Sequence, residues 1–317
     1  MEARQVGFGA WDAVWIAVLA LGCATVDRGA PALRAPDVDA SARLESMPAV
    51  VGKTPSDVTL RFAWPLPVDG RCATVARRID GSGMQVVRTT STIAAYAADG
   101  GQIRVDTVEV EVPPDAPASI RPLAETWRAE RLVDAQGRLL RAQPLEPTLD
   151  AGERAIATAR LAQRWQTMVS AWAGRSLPLD ATYSATAPEQ TPEGPVRLQI
   201  GIRADGRVPC DAADDEARCV RLRIVSQPVA SDVATVARLA AREFLSADAF
   251  MLYEPSRVRA FGSQTTVVLV TDPETLLPRR VTERRTLQLR IDPLLGDDGV
   301  DVNRRDEVTI ACAWRRR

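Results

Sequence analysis

Apolar and polar residues alternate along much of the chain after residue 56. Every second position of residues 196–202 is Val, Leu or Ile, and residues 220–224 follow the same pattern with arginines in between. A period of two is typical of β-strands with one apolar face. Such strands belong to antiparallel sheets with one solvent-facing side, because strands of a parallel sheet are apolar on both faces. A further long strand is predicted over residues 279–291.

Short segments that combine Asp and Gly separate the predicted strands, at residues 80–83, 99–101, 134–137 and 204–206. They predict tight turns, and the last of them is expected to end the strand that begins at Val196. Further along the chain from the first two turns, the alternation slips near Asp106 and Thr107, which predicts a β-bulge.

Two helices are predicted between the strands. Asp150 with Glu153 three residues later has the spacing of a capping box, and Gly174 is expected to end this first helix. The second helix is predicted from about Ser231 to Leu245. Both carry an apolar stripe at helical spacing, expected to pack on a sheet. The bulkiest members of the two stripes are Leu161, Trp165, Met168, Trp172 and Phe244.

Residues 132–141 resemble residues 269–279, and each stretch reads as a strand, a turn and a second strand. This predicts two similar halves, 57–149 and 175–317, joined by the helix 150–174. The alternative is that any series of hairpins gives such matches. In either case the predicted fold class is α+β, mainly antiparallel sheet with two covering helices.

The amino-terminal segment is apolar over a short distance only. Residues 13–23, AVWIAVLALGC, are shorter than the roughly 20 apolar residues of a membrane-spanning helix. They resemble the signal peptide of a bacterial lipoprotein, which implies a signal peptide at 1–22 and lipidation at Cys23. The Ala, Pro, Arg and Asp-rich residues 23–56 then form a flexible tether. Three alternatives remain: cleavage as an ordinary secretory peptide, an uncleaved interfacial anchor, or no export.

The remaining four cysteines are an even number, as expected for two disulfides in an oxidising compartment. Cys210 and Cys219 flank a polar loop between two predicted strands, so they form the expected local pair. That leaves Cys72 with Cys312. The alternative is buried reduced cysteines, whereas the wide spacing of the local pair differs from that of a zinc site.

Composition excludes several chemistries. The chain has no histidine, which removes Ser-His-Asp and Cys-His catalysis and HExxH zinc sites. Its net charge of -1, with scattered arginines, gives no basic patch for nucleic acid. The acidic residues within 211–216 and 297–303 lack the register of a calcium loop and are interpreted as solvated turns. We therefore predict no catalytic residue, no metal and no cofactor.

Three segments carry a resemblance to a family: residues 163–165 (QRW), 172–178 (WAGRSLP) and 271–278 (TDPETLLP). They resemble uncharacterised exported β-rich bacterial lipoproteins. More distantly, the DPxTxLP turn is similar to that of the lipoprotein-carrier half-barrels, which hold an acyl chain between a curved sheet and covering helices. This resemblance implies a curved sheet with an apolar pocket whose wall contains Trp165, Met168, Trp172 and Phe244.

The function predicted from these observations is that of a cell-envelope lipoprotein that binds an apolar or lipid ligand. Ala24, directly after the lipidated cysteine, implies the outer membrane by the family's sorting rule, facing the periplasm or the surface. The expected partners are the membrane, through the lipid anchor, and a lipid or an envelope protein. The alternative is an envelope scaffold or protein-interaction module without a small ligand, and an enzyme is the third hypothesis. A continuous apolar cavity favours the first, and a filled core with an exposed apolar patch favours the second.

Overall fold

Antiparallel strand pairing organises the whole described part of the chain, in which eleven strands form one curved, open sheet covered by two helices. This confirms the predicted α+β class. The predicted signal peptide, Cys23 and the tether lie outside the described residues. The computed structural model describes residues 57–117, 127–191, 194–210, 216–244, 257–292 and 299–316.

The sheet consists of two series of strands, and within each series strands that follow one another in sequence pair with each other. The first series comprises β2 (Val68–Asp80), β3 (Gly83–Ala97), β4 (Ile103–Glu111), β5 (Ala129–Val133) and β6 (Leu139–Pro144). The second comprises β8 (Thr182–Thr191), β9 (Gly194–Val208), β10 (Cys219–Pro228), β11 (Val258–Thr271), β12 (Pro278–Ile291) and β13 (Val300–Arg316). The strand order is β6-β5-β4-β3-β2-β13-β12-β11-β10-β9-β8.

The last strand joins the two series, because β13 pairs with β2. The two short strands outside the main sheet, β1 (Asp57–Thr59) and β7 (Ser176–Pro178), pair with each other. The division into two series falls near the boundary of the two predicted halves, and the internal duplication itself stays a prediction.

The two faces of the sheet differ as the alternation predicts. On β12, Val281, Leu287 and Leu289 point into the core. Arg284, on the opposite face, donates to the carboxylate of Glu307 on β13 at 3.1 Å. Arginine–carboxylate pairs of this kind cover the outer face, so the inner face supplies the apolar surface on which the helices pack.

Helix α1 (Ala151–Trp165) begins with the predicted capping box. The Asp150 carboxylate accepts from the backbone N–H of Glu153, and the Glu153 carboxylate accepts from that of Asp150. A π-helical turn, Gln166–Ser170, extends the helix. Helix α2 (Val233–Phe244) follows a short 3-10 turn. No helix in the described ranges has the length and apolar character needed to cross a membrane.

The two helices cover separate cores. Under α2, Val236, Leu239 and Ala240 pack on the apolar residues of β9 to β12. Under α1 and its π-helical turn, Trp165 and Val169 pack on β2 to β5. The inner face is therefore divided between two helix–sheet contacts.

One of the two predicted irregularities is present and the other is not. The predicted bulge in β4 is confirmed and lies at Val108, next to Thr107, since Thr107 and Glu109 pair with consecutive residues of β3. The prediction of a turn at residues 204–206 is wrong, because β9 continues to Val208 with Asp205 as a bulge residue.

The bulge at Asp205 is stabilised by arginines of its own strand and of the neighbouring strand β10. Its buried carboxylate forms ion pairs with Arg203, Arg221 and Arg223 at 3.1, 3.2 and 2.9 Å. These pairs stabilise an aspartate inside a strand, where the segment Ala204-Asp205-Gly206 alone favours a turn.

Both predicted disulfides are present. Cys72 of β2 lies directly opposite Cys312 of β13 and is bonded to it across 240 residues of sequence. Cys210 and Cys219 close a loop of nine residues. The long-range bridge thus connects the first strand of the sheet to the last one.

We predict that the Cys72–Cys312 bridge stabilises the fold more than the local bridge does. The chain-entropy model gives about 5 kcal/mol for the long loop and about 2 to 3 kcal/mol for the short one. The double variant Cys72→Ala/Cys312→Ala should therefore melt at a clearly lower temperature than Cys210→Ala/Cys219→Ala, as measured by circular dichroism. Equal losses of melting temperature would contradict the role of the long-range bridge.

Candidate functional site

A cavity of about 70 Å³ lies between α1 and the inner face of the sheet. Strands β2, β3, β4 and β13 form its floor, and α1 with the π-helical turn covers it. The Cys72–Cys312 disulfide belongs to the floor, so the cavity is built over the contact between the two series of strands. Its lining residues are Trp64, Cys72, Thr74, Thr89, Ser91, Ile93, Val105, Thr107, Trp127, Arg131, Leu161, Arg164, Trp165, Met168, Val169, Pro278, Ile310, Cys312 and Trp314.

The turn between β5 and β6 fixes the carboxyl end of α1. The carbonyl oxygen of Gly137 accepts from Trp165 Nε1 at 2.9 Å and from Ser170 Oγ at 2.7 Å. Gly137 has a φ of 80°, and a Cβ atom there would lie 2.7 Å from the Phe62 ring. Only glycine combines this backbone conformation with so close a contact.

Trp64 reaches the cavity from an irregular segment held by backbone hydrogen bonds. The N–H of Leu60 donates to Arg175 after α1, and the N–H groups of Arg61 and Ala63 donate to the β11–β12 turn. The indole of Trp64 then contacts Trp165 and Trp314, with ring centroids 5.6 and 5.3 Å apart. Tilted ring pairs at these distances are favourable, so three tryptophans form a rigid part of the wall.

Trp314 is seated by one close contact and one hydrogen bond. Its ring lies over Gly70 of β2, where a Cβ atom would be 2.5 Å from the indole. Its Nε1 donates to the carbonyl oxygen of Pro278 at 2.7 Å. A larger residue at position 70 would displace the ring from the wall.

Polar groups supply the rest of the lining. Thr74, Thr89 and Thr107 are buried on the floor. Arg131, also buried, donates to the Thr107 hydroxyl at 3.4 Å. The second arginine of the lining, Arg164 on α1, lies 4.0 Å from the carboxylate of Glu283 on β12. The cavity is therefore mixed in character, with aromatic and aliphatic walls and two guanidinium groups.

Buried ion pairs continue from the cavity along the inner face. Burial alone would raise the pKa of Glu283, but Arg285 and Arg164 hold it below its usual value. Burial alone would also raise the pKa of Asp306 on β13. Hydrogen bonds from Arg78 and Arg304 outweigh this effect and hold the pKa below its usual value. Charged groups buried in this manner fix the register of β2, β13 and β12 beside the cavity, since an unpaired partner would be costly.

The structure separates the four residues predicted for the pocket wall. Trp165 and Met168 line the cavity. Trp172 is buried in the core under α2, and Phe244 packs against that same core. For Trp172 the reason is the π-helical turn, whose wider winding rotates the residues after it away from the stripe that a regular helix would present. Phe244 lies at the end of α2, which covers the other core.

Three wall tryptophans, Trp64, Trp127 and Trp314, were not predicted for the cavity. Trp64 and Trp127 lie outside the helices and strands, so no periodicity points to them. Trp314 lies two residues after Cys312 in β13 and therefore on the same face, so the alternation of β13 could have placed it in the cavity wall.

No group of three or more Cys, Asp and Glu side chains in the described ranges is arranged to hold a metal ion. Residues 211–215 and 297–298 of the two acidic segments lie outside the described residues. The described lining residues of the cavity include no Asp or Glu, and both of its cysteines belong to the disulfide.

The molecule is an α+β protein with an open, curved antiparallel sheet. No protein-family model matches the chain. No curated protein is similar to it either. The resemblance to exported β-rich lipoproteins therefore stays a prediction.

One solved structure with a partly similar backbone path is that of lipovitellin, described for its lipid–protein interactions. The sequences are 7% identical, the TM-score is 0.37, and the match covers 83% of this chain and 26% of that chain. This chain thus spans about a quarter of the length of the lipovitellin chain. At this TM-score the likeness supports no conclusion about fold or function.

The depressed pKa of Asp306 leads to a prediction about acid stability. Its folded pKa lies below the unfolded value of about 3.9, so its contribution is present above that pH and is lost as the pH falls through the folded pKa. Asp306→Asn should cost about 3 to 5 kcal/mol at pH 7, because the variant removes the buried carboxylate that pairs with Arg78 and Arg304.

The difference between Asp306→Asn and the wild type should shrink between pH 5 and pH 2 in urea unfolding curves. A difference in the free energy of unfolding that stays constant over this range would contradict the ion pairs as the source of the stability.

Proposed function

We propose that this protein binds an apolar or lipid ligand in the pocket between α1 and the curved sheet. The cavity is the observation that supports the proposal. Protein interiors are close-packed, so a space of about 70 Å³ beneath a helix is a departure from the rule. Its wall is mainly aromatic and aliphatic with a few polar groups, which is the usual composition of small-molecule sites.

The volume limits what the site accepts without rearrangement. Small-molecule sites commonly measure about 300–1,000 Å³, and a cavity of about 150 Å³ in another protein holds one benzene molecule. A space of about 70 Å³ takes one end of an apolar chain. A whole lipid requires α1 to move away from the sheet, with loss of the hydrogen bonds to Gly137.

A second candidate function is that of an envelope scaffold or protein-interaction module. The small cavity favours it, as do apolar side chains exposed at the sheet margin. On the edge strand β6 and directly after it, Leu140 and Leu145 are 51% and 39% exposed. An edge strand with apolar residues is a surface on which another chain can add a strand.

A substitution in the floor distinguishes the two functions. Ser91 of β3 lines the cavity. N-phenyl-1-naphthylamine, an apolar dye that fluoresces when it leaves water, is larger than the closed cavity, so its binding requires the same movement of α1 as that of a whole lipid. Ser91→Phe should fill the floor of this space and abolish binding of the dye. Thr92→Phe is the matched control, because the next residue along a strand lies on the opposite face. The measurement is a fluorescence titration of each variant.

The proposal requires that the wild type and Thr92→Phe bind the dye and that Ser91→Phe does not, with all three cooperatively folded by circular dichroism. Dye binding of equal strength to Ser91→Phe would refute the cavity as the site. A wild type that binds no dye would favour the interaction module.

We further propose that the chain is anchored to the membrane through a lipid on Cys23. Only a thiol accepts the diacylglyceryl group, so Cys23→Ser should move the protein from the membrane fraction to the soluble fraction or leave an unprocessed precursor. Immunoblots of fractionated cells measure this. Unchanged membrane fractionation with normal processing would exclude lipidation. The two disulfides are consistent with the oxidising compartment that the anchor implies.

A further inference from the structure

Two threonines lie side by side on the floor of the cavity. Thr74 of β2 is directly opposite Thr89 of β3 in the antiparallel ladder, and both residues line the cavity. Directly opposite residues on one face of such a ladder have Cβ atoms about 5 Å apart. The ladder thus places the two hydroxyl groups within reach of one small head group.

Both hydroxyl groups are buried without a partner. Thr74 and Thr89 are each only 6% exposed, and neither hydroxyl forms a hydrogen bond in the part of the chain that the structure describes. Buried polar groups are normally hydrogen-bonded, because a hydroxyl that loses water without gaining a partner costs free energy. Neither oxygen is among the unpartnered polar atoms that the surrounding structure seals off, so a molecule in the cavity can reach both.

The polar floor faces an apolar cover. Ser91 lies two residues after Thr89 in β3, hence on the same face, and its side chain extends the row of hydroxyl groups along the floor. On the opposite side of the cavity, Trp165 of α1 and Met168 of the π-helical turn supply apolar surface. A ligand that matches both sides carries an oxygen-bearing head on an apolar chain.

The charges of the wall favour an uncharged head. Arg131 donates to the hydroxyl of Thr107, and Arg164 lies 4.0 Å from the carboxylate of Glu283. No Asp or Glu is among the described lining residues. A charged head buried here would have to compete for a counterion that is already engaged, and burial of an uncompensated charge is costly. The oxygen of an alcohol or an ester avoids this cost and still pairs with hydroxyl groups.

We infer that the pocket takes a neutral amphiphile, an apolar chain with an alcohol or ester head, and that this head binds the hydroxyl groups of Thr74 and Thr89. The inference rests on the proposed function and names the class of ligand. The volume of about 70 Å³ suits the head with its first carbon atoms. The rest of the chain follows the aromatic wall into the space that opens when α1 moves.

The test compares three ligands with the same alkyl chain, 1-octanol, 1-chlorooctane and octanoate, as competitors of N-phenyl-1-naphthylamine on the full chain. The wild type should bind 1-octanol at least tenfold more tightly than octanoate, because the carboxylate must be buried without a free counterion. The chlorine of 1-chlorooctane replaces the hydroxyl group and donates no hydrogen bond. The ratio of the 1-octanol affinity to the 1-chlorooctane affinity therefore reports the hydrogen bonds to the head.

Substitutions of the two threonines assign these hydrogen bonds. Thr74→Val and Thr89→Val keep the shape of the side chain, suit a strand and remove the hydroxyl. Each should lower the affinity ratio about fivefold, which is typical of one hydrogen bond between neutral groups. Thr89→Ser retains a hydroxyl and should retain the ratio. Thr90→Val is the matched control, because the next residue along β3 lies on the opposite face, and it should leave the ratio unchanged.

The outcomes separate the inference from the proposed function, with cooperative unfolding of each variant checked by circular dichroism. If the dye binds but the affinity ratio is the same in the wild type, Thr74→Val and Thr89→Val, the pocket is apolar and the head-group site is refuted, with bound water alone on the two hydroxyls. Octanoate that binds as tightly as 1-octanol would refute the neutral head. If the wild type does not bind the dye at all, the proposed function fails, and the inference fails with it.

Discussion

The pairing of β2 with β13 is the contact on which the rest of the structure depends. Within the described residues each series pairs strands that follow one another in sequence, and this ladder is what joins the two series into one sheet. It runs from Ile79 opposite Arg305 to Val68 opposite Arg316. Its partners are distant in sequence, so it forms only after a large loss of chain entropy. The Cys72–Cys312 bridge lies inside the ladder and offsets that loss.

The cavity is a consequence of this junction. Two helices cover the inner face, each over its own core, and the carboxyl end of α1 with the π-helical turn lies over the strands where the series meet. Trp64, Trp165 and Trp314 come from three different parts of the chain and meet there as a rigid wall. Rigid aromatic groups do not collapse into a small space as flexible side chains do, which is why the gap persists beside well-packed cores.

The local features of the fold could be predicted from the sequence because they depend on neighbouring residues. The alternation over β12 and the capping box of Asp150 and Glu153 are of this kind, and both are present. The position of Asp205 inside a strand could not be predicted in this way. Three arginines on β9 and β10 keep it within β9, whereas its immediate neighbours Ala204 and Gly206 favour a turn.

The candidate site was less predictable than the fold for the same reason. The helical stripe identified Trp165 and Met168, but a π-helical turn directs Trp172 to the other core. Trp64 and Trp127 lie in irregular segments, where side-chain direction is set by distant backbone hydrogen bonds rather than by a period.

Native mass spectrometry of the protein purified from its own membranes, without delipidation, tests the central claim most directly. The account predicts an additional non-covalent mass of one apolar or lipid ligand on the wild type, absent from the cavity-filled Ser91→Phe variant and retained by Thr92→Phe. A wild-type protein that carries no ligand under conditions where the fold is intact, or a ligand retained equally by Ser91→Phe, would contradict it.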